Sequence, residues 1–159
     1  MDASKKITLI TQFITSDNTD SGDLVEIRRV YKQDGVVIQN VAVNFDSVDA
    51  YDSVTDEYCT NAKDFFGDVQ DFSAKGGLKA MGDSLDRGMV LVMSLWDDYY
   101  AHMHWLDAHY PDESDPATPG ILRGPCPITG GDPIEVEANN PDATVSFSAI
   151  SVGPIQTYN

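Results

Sequence analysis

Residues 96–110 concentrate groups able to do chemistry: three aspartates, three tyrosines, three histidines and two tryptophans, Trp96 and Trp105. His102, His104 and His109 with Asp107 invite a metal reading, but the spacing opposes it. On a helix His102 and His104 project from different sides, and no thiolate or glutamate falls at a matching offset. Partly exposed polar histidines are expected, with no metal. Asp97 and Asp98 are adjacent, so on a continuing strand their carboxylates face opposite ways and cannot work across one bond. One is expected to line a cleft while the other hydrogen-bonds backbone. Glu135-Val136-Glu137 would put two carboxylates on one strand face, a geometry open to acid–base work and equally open to a solvated face. Trp96, Trp105, Tyr99, Tyr100 and Tyr110 are either core aromatics or a platform. Flat rings edged by hydrogen-bonding groups suit a ligand with C–H faces and a hydroxyl rim, which describes a sugar.

The element that must position these groups is the run before them. Met89 to Leu95 is apolar apart from Ser94, too short for a membrane span and without polar alternation, so it reads as a strand buried on both faces. Lys5 to Thr15 alternates and is rich in β-branched residues, a strand. Leu24 to Tyr31 and Val36 to Val43 are two further strands around Lys32-Gln33-Asp34-Gly35, where Asp-Gly signals a hairpin. Asp17, Thr19, Ser21 and Gly22 hint at a calcium loop, but Arg28 stands where the bidentate glutamate belongs. Asn44 to Asp71 reads as a long acidic loop anchored by Tyr51, Tyr58, Phe65 and Phe66. Leu78 to Arg87 holds a short helix between Gly76-Gly77 and Gly88. A six-proline loop, Pro111 to Pro133, follows, then strands at Ile134 to Glu137 and Thr144 to Val152. Strands dominate, so the expected class is an all-β sandwich.

A chain of 159 residues with 42% hydrophobic content is enough for one domain with a core. Ten basic against 26 acidic residues give a net charge of −16. Such a surface repels phosphate backbones and anionic lipids, so neither nucleic acid nor membrane is an expected partner. There is no signal-peptide pattern, no phosphate loop and no nucleophile elbow. Met1 precedes a strand already under way, as in a cut through a longer protein. Cys59 and Cys126, the two cysteines, are open to three readings: buried thiols, a mutual disulfide, or pairing with cysteines elsewhere.

The run Gly88-Met-Val-Leu-Val-Met-Ser-Leu-Trp-Asp-Asp-Tyr-Tyr-Ala, through Trp105-Leu-Asp and Tyr110-Pro, resembles the fungal-type cellulases of glycoside hydrolase family seven. Lys5-Lys-Ile-Thr-Leu-Ile-Thr-Gln-Phe, Gln33-Asp-Gly-Val, Tyr58-Cys59, Phe72-Ser73, Lys75-Gly-Gly-Leu, Thr118-Pro-Gly, Arg123-Gly-Pro-Cys126, Val145-Ser-Phe-Ser and Gly153-Pro-Ile155 resemble family segments in the family's order, over almost the whole chain. The resemblance implies a concanavalin-like jelly-roll sandwich of curved antiparallel sheets, with residues 1–159 the C-terminal part of a single catalytic domain. The family's Glu-x-Asp-x-x-Glu strand, carrying nucleophile and acid/base, does not occur here. The nearest candidate starts at Glu135 and has Glu137 for the Asp and Asn140 for the last Glu. No catalytic residue is therefore expected on this chain. The implied activity is retaining hydrolysis of β-1,4-glucosidic bonds in cellulose, without cofactor, by a secreted, extracellular enzyme that is monomeric at full length. Trp96 and Trp105 would stack on glucosyl rings either side of the scissile bond. Asp97, Tyr110 and Arg123 would bind hydroxyls of a cellulose or cello-oligosaccharide chain. Cys59 and Cys126 would pair with upstream cysteines. Asp97-Asp98-Tyr99-Tyr100 and the long loop to Arg123 look like the cellobiohydrolase branch; the alternatives are an endo-β-1,4-glucanase or, were the chain complete, a non-catalytic sugar-binding sandwich. Isolated, the fragment is expected to be inactive and unstable, its strands lacking half their partners.

Overall fold

A computed structural model of the chain describes residues 1–2, 4–43 and 49–155. It divides into two compact units, residues 1–90 with the last residues from Val152, and residues 91–151.

The first unit is built on a three-stranded antiparallel sheet, β1 (Thr8–Thr15), β2 (Leu24–Gln33) and β3 (Val36–Gln39), in that order. The Asp-Gly hairpin forms as expected: Gln33 pairs with Val36, and Asp34 and Gly35 both take positive φ, 50° and 81°. Two such residues make a tight turn whose twist matches that of the strands. Ile10 lies opposite Val30, which is buried on the same strand as Leu24. Leu9 and Phe13 point to the other face and stay 59% and 46% exposed, so one face of the sheet is largely uncovered. The turn at Ser16 to Asp23 is closed by its own side chains: Asp17 Oδ1 accepts from the Thr19 N–H and hydroxyl, both at 2.9 Å.

Three helices follow. The acidic stretch read as loop contains α1 (Asp56–Phe66). Its start is capped by Thr55, whose hydroxyl accepts from the Tyr58 N–H at 3.0 Å, and its end by Gly67 at φ 65°. Asp56 and Glu57 in the first turn and Lys63 in the last suit the helix dipole. The short α2 (Asp71–Ala74) leads to α3 (Gly77–Asp86), close to the expected span. Helix α3 packs on β2 through a fully buried Leu78 and through Gly82, where a side chain would collide with Leu24.

Two expected strands are not formed. Residues 89–95 belong to no strand, and Val90 and Val92 are 88% and 78% exposed. Residues 144–152 likewise carry no regular structure, and Ala149 sits at φ 54°, which a continuous strand does not tolerate. A strand needs a neighbour for its N–H and C=O groups, and none among the described residues pairs with either segment. The third correction is at 134–137. These residues lie in a helix (Pro133–Asn139) because Asp132 caps it, accepting from the Ile134 N–H at 2.9 Å, and Pro133 takes its first position. Helical residues outnumber strand residues among those described. The antiparallel sheet is present; among the described residues there is no second sheet facing it. No helix among the described residues is long and apolar enough to cross a membrane.

Candidate functional site

The second unit holds every aromatic and polar residue that sequence singled out as ligand-binding. Its geometry begins at a turn. The Asp98 carboxylate accepts from the Tyr100 N–H at 2.9 Å and the Ala101 N–H at 3.2 Å, and its backbone oxygen accepts from the His102 N–H at 3.0 Å. His102 and Met103 then adopt left-handed conformations, φ 48° and 62°. The chain thus doubles back into a short helix, His104–Asp107, rather than continuing as strand.

This reversal brings the two tryptophans together. The Trp96 and Trp105 rings are stacked, with centroids 6.0 Å apart and planes at 22°. Trp96 is 56% exposed and Trp105 half-buried. The Trp105 indole N–H donates to Asp98 Oδ2 at 2.9 Å, and its carbonyl accepts from Arg123 Nη1 at 2.9 Å. Of the two adjacent acids, then, Asp98 serves the backbone and the indole. Three donors hold its carboxyl below the usual carboxylate range, the Trp105 indole first, then the Tyr100 and Ala101 amides. Asp97 is half-buried beside it and contributes, after Glu137 and burial, to pushing the Tyr99 phenol up.

Tyr110 and Arg123 are joined by the neck of the proline-rich loop. Tyr110 N–H donates to Ile121 O at 3.0 Å, Arg123 N–H to Ala108 O at 2.9 Å, and His109 bridges Leu122 in antiparallel fashion. The Arg123 guanidinium lies 5.5 Å from the Tyr110 ring centroid, a cation–π contact. Its Nε donates to Gly120 O at 2.9 Å. Two of its five N–H donors are therefore used on backbone carbonyls, and the side chain is exposed. Beyond the neck, Gly124 packs where a side chain would strike the Asp107 carbonyl.

The remaining candidates do other work. His104 is buried, with Nδ1 3.1 Å from Asp112 Oδ1 and Nε2 3.0 Å from Gly130 O. Both nitrogens face acceptors, which only the imidazolium satisfies. Its pKa is raised, by the Gly130 carbonyl first and then Asp112, against the opposing effect of burial. His109 Nε2 contacts Ser114 O at 2.6 Å. Among the described residues no three His, Cys, Asp or Glu side chains gather as a metal site would require. Glu135 and Glu137, two apart on a helix rather than a strand, do not share a face. Glu137 instead accepts from the Tyr99 hydroxyl at 3.5 Å. Cys59 and Cys126 are both free thiols, Cys59 half-buried and Cys126 exposed. Burial pushes the Cys59 thiol up; contact with Asp107 does the same for Cys126. Sequence reasoning did not find the Asp98–Trp105 bond, because nothing in a seven-residue spacing advertises a left-handed turn at two non-glycine residues.

In the first unit, a recess of about 150 Å³ is lined by Thr11, Arg29, Asn40, Tyr51, Asp52 and Tyr58 among others, and by none of the expected site residues.

Exoglucanase GH7B from Limnoria quadripunctata is 56% identical over 160 residues; the match takes in all of this chain and 34% of that protein, so the chain spans about a third of its relative's length. A cellobiohydrolase from Daphnia pulex superposes with a TM-score of 0.80 at 52% identity, covering 87% of this chain and 31% of the other. An endoglucanase I complexed with cellobiose gives 0.68 at 33% identity, covering 88% and 30%. The profile of glycosyl hydrolase family 7 matches residues 1–158, and the chain belongs to that family.

Proposed function

We propose that residues 1–159 are the C-terminal part of one glycoside hydrolase catalytic domain, a jelly-roll sandwich that cleaves β-1,4-glucosidic bonds in cellulose with retention. A double displacement needs two closely placed carboxylates, one nucleophile and one acid/base. On this reading both are supplied by polypeptide outside these residues, and the chain contributes part of the substrate groove. By itself it is inactive. No cofactor takes part, and the full-length enzyme works as an extracellular monomer.

The observation that carries this reading is the tethered Trp96–Trp105 stack beside Asp97, Tyr110 and Arg123, in a chain of this family. Aromatic faces contact the C–H faces of glucosyl rings, and the polar groups bind their hydroxyls. On this reading glucosyl rings rest on the faces that the Trp96–Trp105 pair, with centroids 6.0 Å apart and planes at 22°, leaves open. Arg123 and Tyr110 stand ready for hydroxyls on the product side. The unpaired apolar segments at 89–95 and 144–152, and the bare face of the β1–β2–β3 sheet, are what a sandwich leaves when its partner strands are removed. Cys59 and Cys126 are each assigned to disulfides with cysteines in that missing part.

Exo-action is favoured over endo-action. Identity is 56% to the exoglucanase and 52% to the cellobiohydrolase, against 33% to the endoglucanase. The test is hydrolysis of crystalline cellulose by the full-length protein. A cellobiohydrolase releases mainly soluble cellobiose; an endoglucanase leaves many new reducing ends on the insoluble fibre. No hydrolysis by correctly folded full-length protein would refute the reading.

A further inference from the structure

We infer that Asp98 is a positioning residue that acts on the ligand solely through Trp105, and that Trp105 consequently offers the ligand a face and no hydrogen bond. This rests on the groove reading above and refines it. The Asp98 carboxylate takes three donors from inside the protein, about three-quarters of its acceptor capacity: Oδ2 takes the Trp105 indole N–H at 2.9 Å, and Oδ1 takes the backbone N–H groups of Tyr100 and Ala101 at 2.9 and 3.2 Å. It stands two residues after Trp96, so the same carboxylate ties the platform's second ring to the backbone that carries the first. From the other side Arg123 Nη1 grips the Trp105 carbonyl at 2.9 Å. The ring is thereby set at 22° to Trp96 by bonds at its backbone and its edge.

Two consequences follow for recognition. An indole whose N–H is spent on Asp98 cannot donate to a hydroxyl, so Trp105 senses ring shape and leaves hydroxyl orientation to Asp97, Tyr110 and Arg123. Asparagine, though the same size, cannot replace Asp98. It presents one oxygen and one NH₂, so in either orientation a donor meets either the indole or the two turn amides.

The experiment is a double-mutant cycle in the full-length protein, read as the Kd for a non-hydrolysable thio-linked cello-oligosaccharide. Asp98→Asn is expected to weaken binding about three- to tenfold, the range for a misplaced aromatic contact, and Trp105→Ala at least tenfold. In the Trp105→Ala background, Asp98→Asn should change Kd by less than about twofold. Equal effects of Asp98→Asn in both backgrounds would overturn the inference, since Asp98 would then touch the ligand or support the fold directly. A neutral Asp98→Asn beside a damaging Trp105→Ala also overturns it, and leaves the groove reading standing. A neutral Trp105→Ala removes the platform and the inference together. Should Asp98→Asn fail to fold, Trp105→Phe keeps a ring but loses the bond. It is expected to bind about threefold more weakly than the native protein, and native affinity would count against the tether.

Discussion

The proposal that residues 89–95 are a strand buried on both faces in the complete domain makes a quantitative demand on Val92. Here its side chain is 78% exposed, and Leu91 on the opposite side of an extended chain is 66% exposed. If these values described the working protein, replacing either by aspartate would cost no more than about 0.5 kcal/mol, as for exposed surface positions generally. If sheets cover both sides, each substitution forfeits the burial of an aliphatic side chain, about 1.5–3 kcal/mol. Each also buries a carboxylate with no partner, which adds about 3 kcal/mol unless the group takes up a proton. The expected loss is therefore about 4–6 kcal/mol for Val92→Asp and for Leu91→Asp separately. That is a third or more of the stability of a typical domain. The assay is urea unfolding of the full-length protein, with the loss taken from the shift in midpoint at constant slope. A large loss at one position and none at the other would mean a strand covered on one side. Losses below about 0.5 kcal/mol at both would refute the buried-strand argument, and with it the account of why the segment is unpaired here.

Three further outcomes are expected. The folded pKa of His104 is raised above its unfolded value, so its contribution is complete below about pH 6.5 and fades as pH rises through the folded pKa; His104→Gln should flatten the fall in Tm over that window, and an unchanged profile would dismiss the imidazolium latch between Asp112 and Gly130. Thr55→Ala removes the cap of α1 and should cost about 1 kcal/mol in chemical denaturation, whereas Thr55→Ser should cost little. Gly131→Ala must accommodate a side chain at φ 86° against the His102 carbonyl, so a loss above about 1 kcal/mol is expected from strain alone, measurable as a lowered urea midpoint.

How much of this was legible in the sequence depends on how far each feature's determinants lie apart. The β2–β3 hairpin was readable because Asp34-Gly35 supplies both positive φ values by itself. Helix α3 was readable from its flanking glycines. Helix α1 carried a sufficient signal, with Thr55 as cap, Tyr58, Ala62 and Phe65 at helical spacing and Gly67 as stop, yet its aromatics passed for loop anchors. The helix at 133–139 was misread because Glu-Val-Glu alternates over too few residues to outweigh the Asp132 cap and Pro133. Segments 89–95 and 144–152 are a different case: hydrophobic pattern records a demand for burial without saying what meets it, and nothing among the described residues meets it. The bonds around the tryptophan stack lie at the local end of the same scale. Asp98 reaches Trp105 over seven residues, and Trp105 is reached by Arg123 over eighteen. The loop neck joins residues 108–110 to 121–123. Residues 91–151 therefore fix the Trp96–Trp105 stack through contacts of their own, while residues 89–95 and 144–152 find no strand partner among the described residues. The same division explains why the aromatic site could be proposed from fifteen consecutive residues, whereas the strand count behind the expected sandwich leaned on segments 89–95, 134–137 and 144–152, none of which forms a strand here.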